Sequence, residues 1–284
     1  METLQNIAQG LLERGDVSMV IGYTPGTIPG KTKTIFARTP EAAQKLTFNE
    51  NCVNNLSIYL TRQYGNIGEK PVALVVKACD ARTVNVLIQE NQLKREQVYL
   101  IAVPCNGVKD EHGVEQGKCK SCAQRVPKDY DALAGETPAP VEIDPTLRFK
   151  ALEQFDAMSP DERWEFWMKE FEKCVKCYAC RQACPLCYCE RCITDKTTPR
   201  WIEPDTSTAA NLSWHITRAF HLAGRCIGCG ECERACHQNI PLGLLNRKMA
   251  KEVFDNFGYR AGESAEAKPV FADFRYDDKE EFIR

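Results

Sequence analysis

The stretch CVKCYACRQACP, residues 174–185, decides the reading of this chain, because its spacing returns in CIGCGECERAC, residues 226–236. Both runs place three cysteines with two residues between neighbours, then a fourth after three more. Used twice, this is the ligand pattern of a chain carrying two [4Fe–4S] cubanes. A cubane has four iron corners. Three closely spaced cysteines wrap one face before the chain runs away from the fourth corner, so the fourth cysteine of each run is expected on the other cluster. That assigns Cys174, Cys177, Cys180 and Cys236 to one cube, and Cys226, Cys229, Cys232 and Cys184 to the other. Pro185 ends the first run by fixing its own φ and lacking a donor; the second run has His237 at that place and Pro241 four residues on.

Zinc is satisfied by four cysteines, usually as two Cys-x2-Cys pairs, and the double run exceeds that need. A disulfide framework calls for a short secreted chain with a signal peptide. The N-terminus METLQN shows neither a basic start nor an apolar core of signal length. Sixteen cysteines then point to a reducing compartment, expected to be the cytoplasm of an anaerobic or microaerobic cell. The net charge of −2 offers no general attraction to nucleic acid or anionic lipid. No apolar stretch approaches the roughly 20 residues of a membrane span, so any membrane link is expected through a partner.

The 284 residues suggest two domains and a tail. Residues 1–145 read as an α/β domain with a partly parallel sheet, closed by a Pro-rich linker from Pro127 to Pro145. VSMVIGY (17–23) and KTIFA (33–37) read as strands joined by a Gly/Pro/Thr turn. VALVVK (72–77) and VYLIAV (98–103) are continuous apolar runs of the buried parallel type. Helical spacing at 82–92 connects them in a crossover expected to be right-handed. Cys52 is expected in the core of a helix around Asn51 to Tyr64. Residues 146–260 read as a mainly α-helical, ferredoxin-like domain with the two [4Fe–4S] clusters. It opens on Ser159-Pro160-Asp161-Glu162, a cap followed by proline and acids. Trp164, Trp167, Met168 and Phe171 form an apolar stripe expected in the core, and residues 208–223 and 242–254 read as further helices. The tail, 261–284, is expected to lie along a partner or fray.

Cys79 and Cys105 follow the two buried strands, and Cys119-x2-Cys122 sits in the next loop. Parallel strands end at one edge, where open α/β sheets bind ligands, so Cys79, Cys105, Cys119 and Cys122 are expected to hold a third [4Fe–4S] cluster; zinc would accept the same four. Cys187, Cys189 and Cys192 stay unassigned. Lys173, Lys176, Arg181, Arg191, Arg225 and Arg234 stand among the cysteines, where cations raise a cluster's potential; taken singly, each reads as solvated surface charge. His215, His221 and His237 read as packing or surface residues. GTIPGKT (26–32) is one residue short of a phosphate loop and precedes a strand, so it reads as a hairpin turn. No G-x-G-x-x-G follows a strand, so a dinucleotide site of that type has no support.

FNENCVNNLSIYL (48–60), KACDARTVNVLIQE (77–90), VYLIAVPCNGV (98–108) and KCKSC (118–122) resemble the N-terminal part of beta subunits of deazaflavin (coenzyme F-420) hydrogenases and dehydrogenases. They resemble still more closely the dicluster subunits associated with heterodisulfide reductase in flavin-based bifurcating complexes. CVKCYACRQACPLCYC (174–189) and CIGCGECERACHQNIPL (226–242) are similar to the same group, and to ferredoxin-type subunits of sulfhydrogenases and sulfite reductases. The 41 residues between Cys184 and Cys226 resemble the helical two-cluster domain of succinate dehydrogenase and heterodisulfide reductase subunits. The likeness covers most of residues 10–260.

In the deazaflavin enzymes the N-terminal domain holds a flavin and performs hydride chemistry, whereas the heterodisulfide-linked relatives relay electrons. The resemblance therefore allows FAD, although no flavin motif is readable here. The expected function is a non-catalytic relay in a multisubunit anaerobic oxidoreductase. Single electrons would pass from a flavoprotein or dehydrogenase to a heterodisulfide-reductase-like or other iron–sulfur partner, with no residue acting as acid, base or nucleophile. The alternatives are a flavin-bearing catalytic subunit oxidising NADH or reduced deazaflavin, and a cluster-based redox sensor or scaffold. The last would require a recognition surface, and neither a basic patch nor a DNA-binding helix pair is readable.

Overall fold

The computed structural model describes residues 3–61, 68–274 and 276–277. The chain divides into two compact units, Met1–Arg148 with Gly262–Ala267, and Phe149–Ala261 with Lys268–Arg284.

In the first unit, apolar runs become strands β1 (Met19–Pro25), β2 (Thr32–Ala37), β3 (Val72–Val76), β4 (Val98–Ala102) and β5 (Ala132–Leu133), in the order β2-β1-β3-β4-β5. β1 and β2 form an antiparallel hairpin whose turn closes through Gly26 N–H to the Lys31 carbonyl at 2.8 Å. The hairpin reading of GTIPGKT therefore holds. All other pairings are parallel, β3 on β4 in register from Val72↔Val98 to Val76↔Ala102. Every residue of β3 is buried, as its unbroken apolar run requires. Helices α1 (Leu4–Arg14), α2 (Pro40–Ala43) and α3 (Ala78–Gln89) accompany the sheet, α3 linking β3 to β4. This mixed, mostly parallel sheet with its helices makes the first unit α/β.

Two local expectations fail here. Ala132 and Leu133, inside the expected linker, pair with Ile101 and Ala102 of β4; two residues are too short to show any period. In place of a long helix around Cys52, a 3-10 turn spans Leu56–Leu60, and Cys52 is buried ahead of it. Asparagines explain this. The Asn49 side chain accepts from Asn51 N–H and the Asn55 side chain from Ser57 N–H, offering the backbone local partners that compete with a helix. Residues 62–64 of the expected helix lie outside the described residues.

The second unit is helical: α4 (Glu153–Asp156), α5 (Pro160–Glu172), α6 (Ala179–Gln182), α7 (Thr208–His221), α8 (Glu231–Arg234) and α9 (Leu242–Phe257). α5 begins in a full capping box between Ser159 and Glu162. Its stripe packs through Trp167, Met168 and Phe171, but Trp164 is 57 % exposed and drops out of the expected core. Phe171, Ile202, Trp214, Ile240 and Leu242 form a core that also includes Cys180 and Cys232. Part of the tail is held by this chain itself. Asn85 and Gln89 of α3 donate to the carbonyls of Gly262 (3.1 Å) and Ser264 (2.7 Å), and Phe271 meets Phe257 edge-on. Among the described residues, no helix is long and apolar enough to cross a membrane.

Candidate metal centres

The two cysteine runs build matching loops. Each bends through two left-handed residues, Lys176 (φ 49°) and Tyr178 (φ 57°) in the first, Gly228 (φ 75°) and Gly230 (φ 76°) in the second. Each then enters a one-turn helix, α6 or α8. The first bend turns a backbone N–H onto sulfur, Lys176 N–H lying 3.4 Å from Cys174 Sγ, and in the second the Gly228 backbone opposes the rise of the Cys226 pKa. Asn211 of α7, fully buried, ties the first loop down by donating to the carbonyls of Cys174 (2.8 Å), Phe171 (2.9 Å) and Thr206 (3.1 Å).

Cys174, Cys177, Cys180 and Cys236 line one cavity with Tyr178, Trp214 and His215. Cys236 comes from the second run, so the cavity gathers the four cysteines that the crossed assignment put together. Its space is about 320 Å3, counting the part open to solvent. Cys177 is exposed at its mouth and stands 3.8 Å from His237 Nδ1. Burial pushes the Cys180 thiol up to about 11 and raises that of Cys174.

Around the second run, Cys184, Cys226 and Cys232 act electrostatically on one another, again mixing the two runs. Cys229 lies half-buried in the loop between Gly228 and Gly230. Asn246 of α9 donates to Cys232 Sγ at 3.4 Å. Burial takes Cys226 up to about 12, and a hydrogen bond with Cys187 followed by burial raises Cys184. Thiols held this high must release protons to ligate any metal, so loading depends on pH.

Of the unassigned cysteines, Cys187 lies beside Cys184, Cys189 is exposed, and Cys192 packs on the core of the first site. Burial opposes ionisation of Cys192, but hydrogen bonds from Thr194 and Arg181 prevail and lower its pKa.

In the first unit, Cys79 opens α3 and Cys105 follows β4, at the carboxyl edge of the parallel strands. The Cys105 N–H donates to the Arg125 carbonyl at 2.8 Å, and Val108 N–H reaches Cys119 Sγ at 3.4 Å. These bonds draw the loop bearing Cys119 and Cys122 back to the strand end. Cys105 is an electrostatic neighbour of Cys79, Cys119 and Cys52. Lys77 lies at the same edge, in contact with Asp80 (2.9 Å), the Asn54 carbonyl (2.9 Å) and the Tyr23 hydroxyl.

Among the described residues, no three His, Cys, Asp or Glu side chains converge as the shell of a single ion. One observation of the structure fits a sulfur-rich group. Both ring nitrogens of His215 and Nε of Arg218 are buried without hydrogen-bond partners, and His215 lines the cavity. Buried polar groups are ordinarily paired, and sulfur acceptors would pair Arg218 Nε and the one His215 nitrogen that carries a proton. Burial, aided by Arg218 and Lys176, lowers the His215 pKa to about 3, so the ring is neutral there.

Asn211 and Arg218 escape the sequence reading, which takes His215 as a packing or surface residue, although the three stand one helical turn apart among Ala210, Trp214 and Ala219. That buried polar stripe was the available signal. Lys176 likewise departs from the surface reading: it is 7 % exposed and donates to the Glu203 carbonyl.

No protein-family model matches the chain. The chain is similar to the beta subunit of the F420-dependent formate dehydrogenase of Methanocaldococcus jannaschii, at 24% identity over 72% of this chain and 77% of the relative. It is also similar to the beta subunit of F420-dependent formate dehydrogenase 1 of Methanococcus maripaludis, at 22% identity over 92% and 90%. The resemblance to deazaflavin-dependent beta subunits read from short motifs thus extends along the chain. A structure of the F420-reducing [NiFe] hydrogenase complex from Methanosarcina barkeri aligns over 38% of this chain and 40% of that one, at 18% identity. Its TM-score of 0.30 is too low to carry an argument.

Proposed function

We propose that this chain is an electron-relay subunit of a multisubunit oxidoreductase, with [4Fe–4S] centres at the two crossed cysteine sets. The observation that carries this reading is the cavity shared by Cys174, Cys177, Cys180 and Cys236. Such a centre supplies one-electron chemistry, accepting and releasing single electrons without bond making at the protein. The cysteines hold it as thiolates after losing their protons. The backbone N–H of Lys176 steadies the Cys174 thiolate, the Gly228 backbone favours that of Cys226, and Trp214, Ile240 and Leu242 keep water from the inner wall. Cys79, Cys105, Cys119 and Cys122 are the candidate ligands of a third centre.

The crossed ligand sets would keep the two centres close, the arrangement that suits hopping. Electrons would enter from a flavoprotein or dehydrogenase partner and leave to a heterodisulfide-reductase-like or other iron–sulfur partner, in the reducing cytoplasm. The similarity to F420-dependent beta subunits supports a second reading, in which this chain itself holds FAD and takes hydride from reduced deazaflavin. Iron, sulfide and flavin assays on the anaerobically purified chain separate the two. The relay reading expects about eight irons, or about twelve with the third centre, and no stoichiometric flavin. Cys177→Ser should then abolish electron flow through the assembled complex; full flow after loss of that centre would overturn the relay.

A further inference from the structure

Arg218 is 4 % exposed, near the end of α7, and its position is costly for a cation. One guanidinium nitrogen donates to the Cys180 carbonyl at 3.2 Å, and Nε has no partner. No carboxylate is among its principal electrostatic neighbours. They are instead Cys232, Cys184, Cys187 and Cys180, from both runs. Arg218 opposes the rise that burial gives the Cys232 pKa. A buried cation facing neutral thiols is uncompensated, and desolvating such a charge is expensive. The same cation facing thiolates of two net-negative centres is compensated on both sides. The guanidinium suits this position because its rigid planar fork spreads five donors over a wider span than a compact ammonium.

We propose that Arg218 is a positioning and tuning residue shared by the two centres, one fixed cation that raises the reduction potential of both. The inference rests on the cluster reading above. Reduction adds negative charge to a centre, so a nearby cation stabilises the reduced form more than the oxidised one. Because one charge serves two centres, its effects on them are linked.

The test is a redox titration followed by paramagnetic resonance, on the whole chain carrying Arg218→Met, Arg218→Gln or Arg218→Lys. Iron is assayed first in the unaltered protein; failure to bind about eight irons would defeat the cluster reading rather than this one. Removing the charge as Met or Gln should shift both potentials downward. Lys keeps the charge in a more compact head, so both potentials should fall less than in Met or Gln. Should Met fail to retain iron, the Gln and Lys titrations decide. Potentials unchanged in every variant that binds iron would show Arg218 to be a packing element only, and a shift confined to one centre in Met or Gln would overturn the sharing.

Discussion

Lys77 is 1 % exposed and stands at the carboxyl edge of the sheet, beside the cysteines of the candidate third centre. Burial alone would lower its pKa. The Asp80 carboxylate, with Cys79 and Cys105 behind it, outweighs burial and raises it to about 12. Asp80 also accepts from the Lys77 N–H at 3.1 Å, so one carboxylate caps α3 and pairs its buried cation. Asp80→Asn keeps the shape and removes the charge, leaving Lys77 buried without its counter-ion. Breaking a buried pair in this way costs about 3–5 kcal/mol, and urea unfolding at neutral pH should register that loss. The folded pKa lies above the ordinary 10.5, so the contribution is complete below that pH and fades as pH rises through about 12. The deficit of the variant should therefore narrow at high pH. An Asn variant as stable as the parent at neutral pH would refute this account of the junction.

At the scale of elements, the two cysteine loops make the same turn with different residues. The second meets its left-handed positions with Gly228 and Gly230, the first with Lys176 and Tyr178. A Cβ at either glycine would meet nothing within 4 Å. Gly228→Ala and Gly230→Ala should therefore pay only the backbone cost of left-handed φ, about 1–2 kcal/mol each. Calorimetry of the iron-loaded protein should show a lower Tm with iron content intact; an unchanged Tm would mean that the loop does not need these conformations. The loops were legible because ligand spacing is a local signal, and β1 to β4 because buried strands are continuous apolar runs. β5 was not, since its two residues acquire their strand character from β4. The polar face of α7 was hidden for another reason: Asn211 and Arg218 resemble solvent-facing residues until the fold buries them. Trp164 misled in the opposite sense, matching the spacing of a core stripe while remaining on the surface.

Across the whole molecule, the chain order and the compact units do not coincide. After 113 residues of the second unit, Phe149–Ala261, the chain gives Gly262–Ala267 to the first unit before Lys268 resumes the second. Composition could not foretell this, because the segment is attached mainly through its backbone carbonyls, which every sequence possesses. Asn85 and Gln89, one turn apart on α3, donate to the carbonyls of Gly262 and Ser264, and Lys128 pairs with Glu263 at 3.2 Å. The exposed ion pair adds little, whereas the amide bonds, one of them buried, are each worth about 1 kcal/mol net. A chain lacking both amides, Asn85→Ala with Gln89→Ala, should lose about 2 kcal/mol from the attachment. Hydrogen exchange should then quicken across 262–267 and along α3 while α5 and α7 keep their protection, because the lost bonds lie within the first unit. Exchange that stays unchanged at 262–267 would show that the segment is held by something other than α3, and acceleration throughout both units would show that they unfold as one.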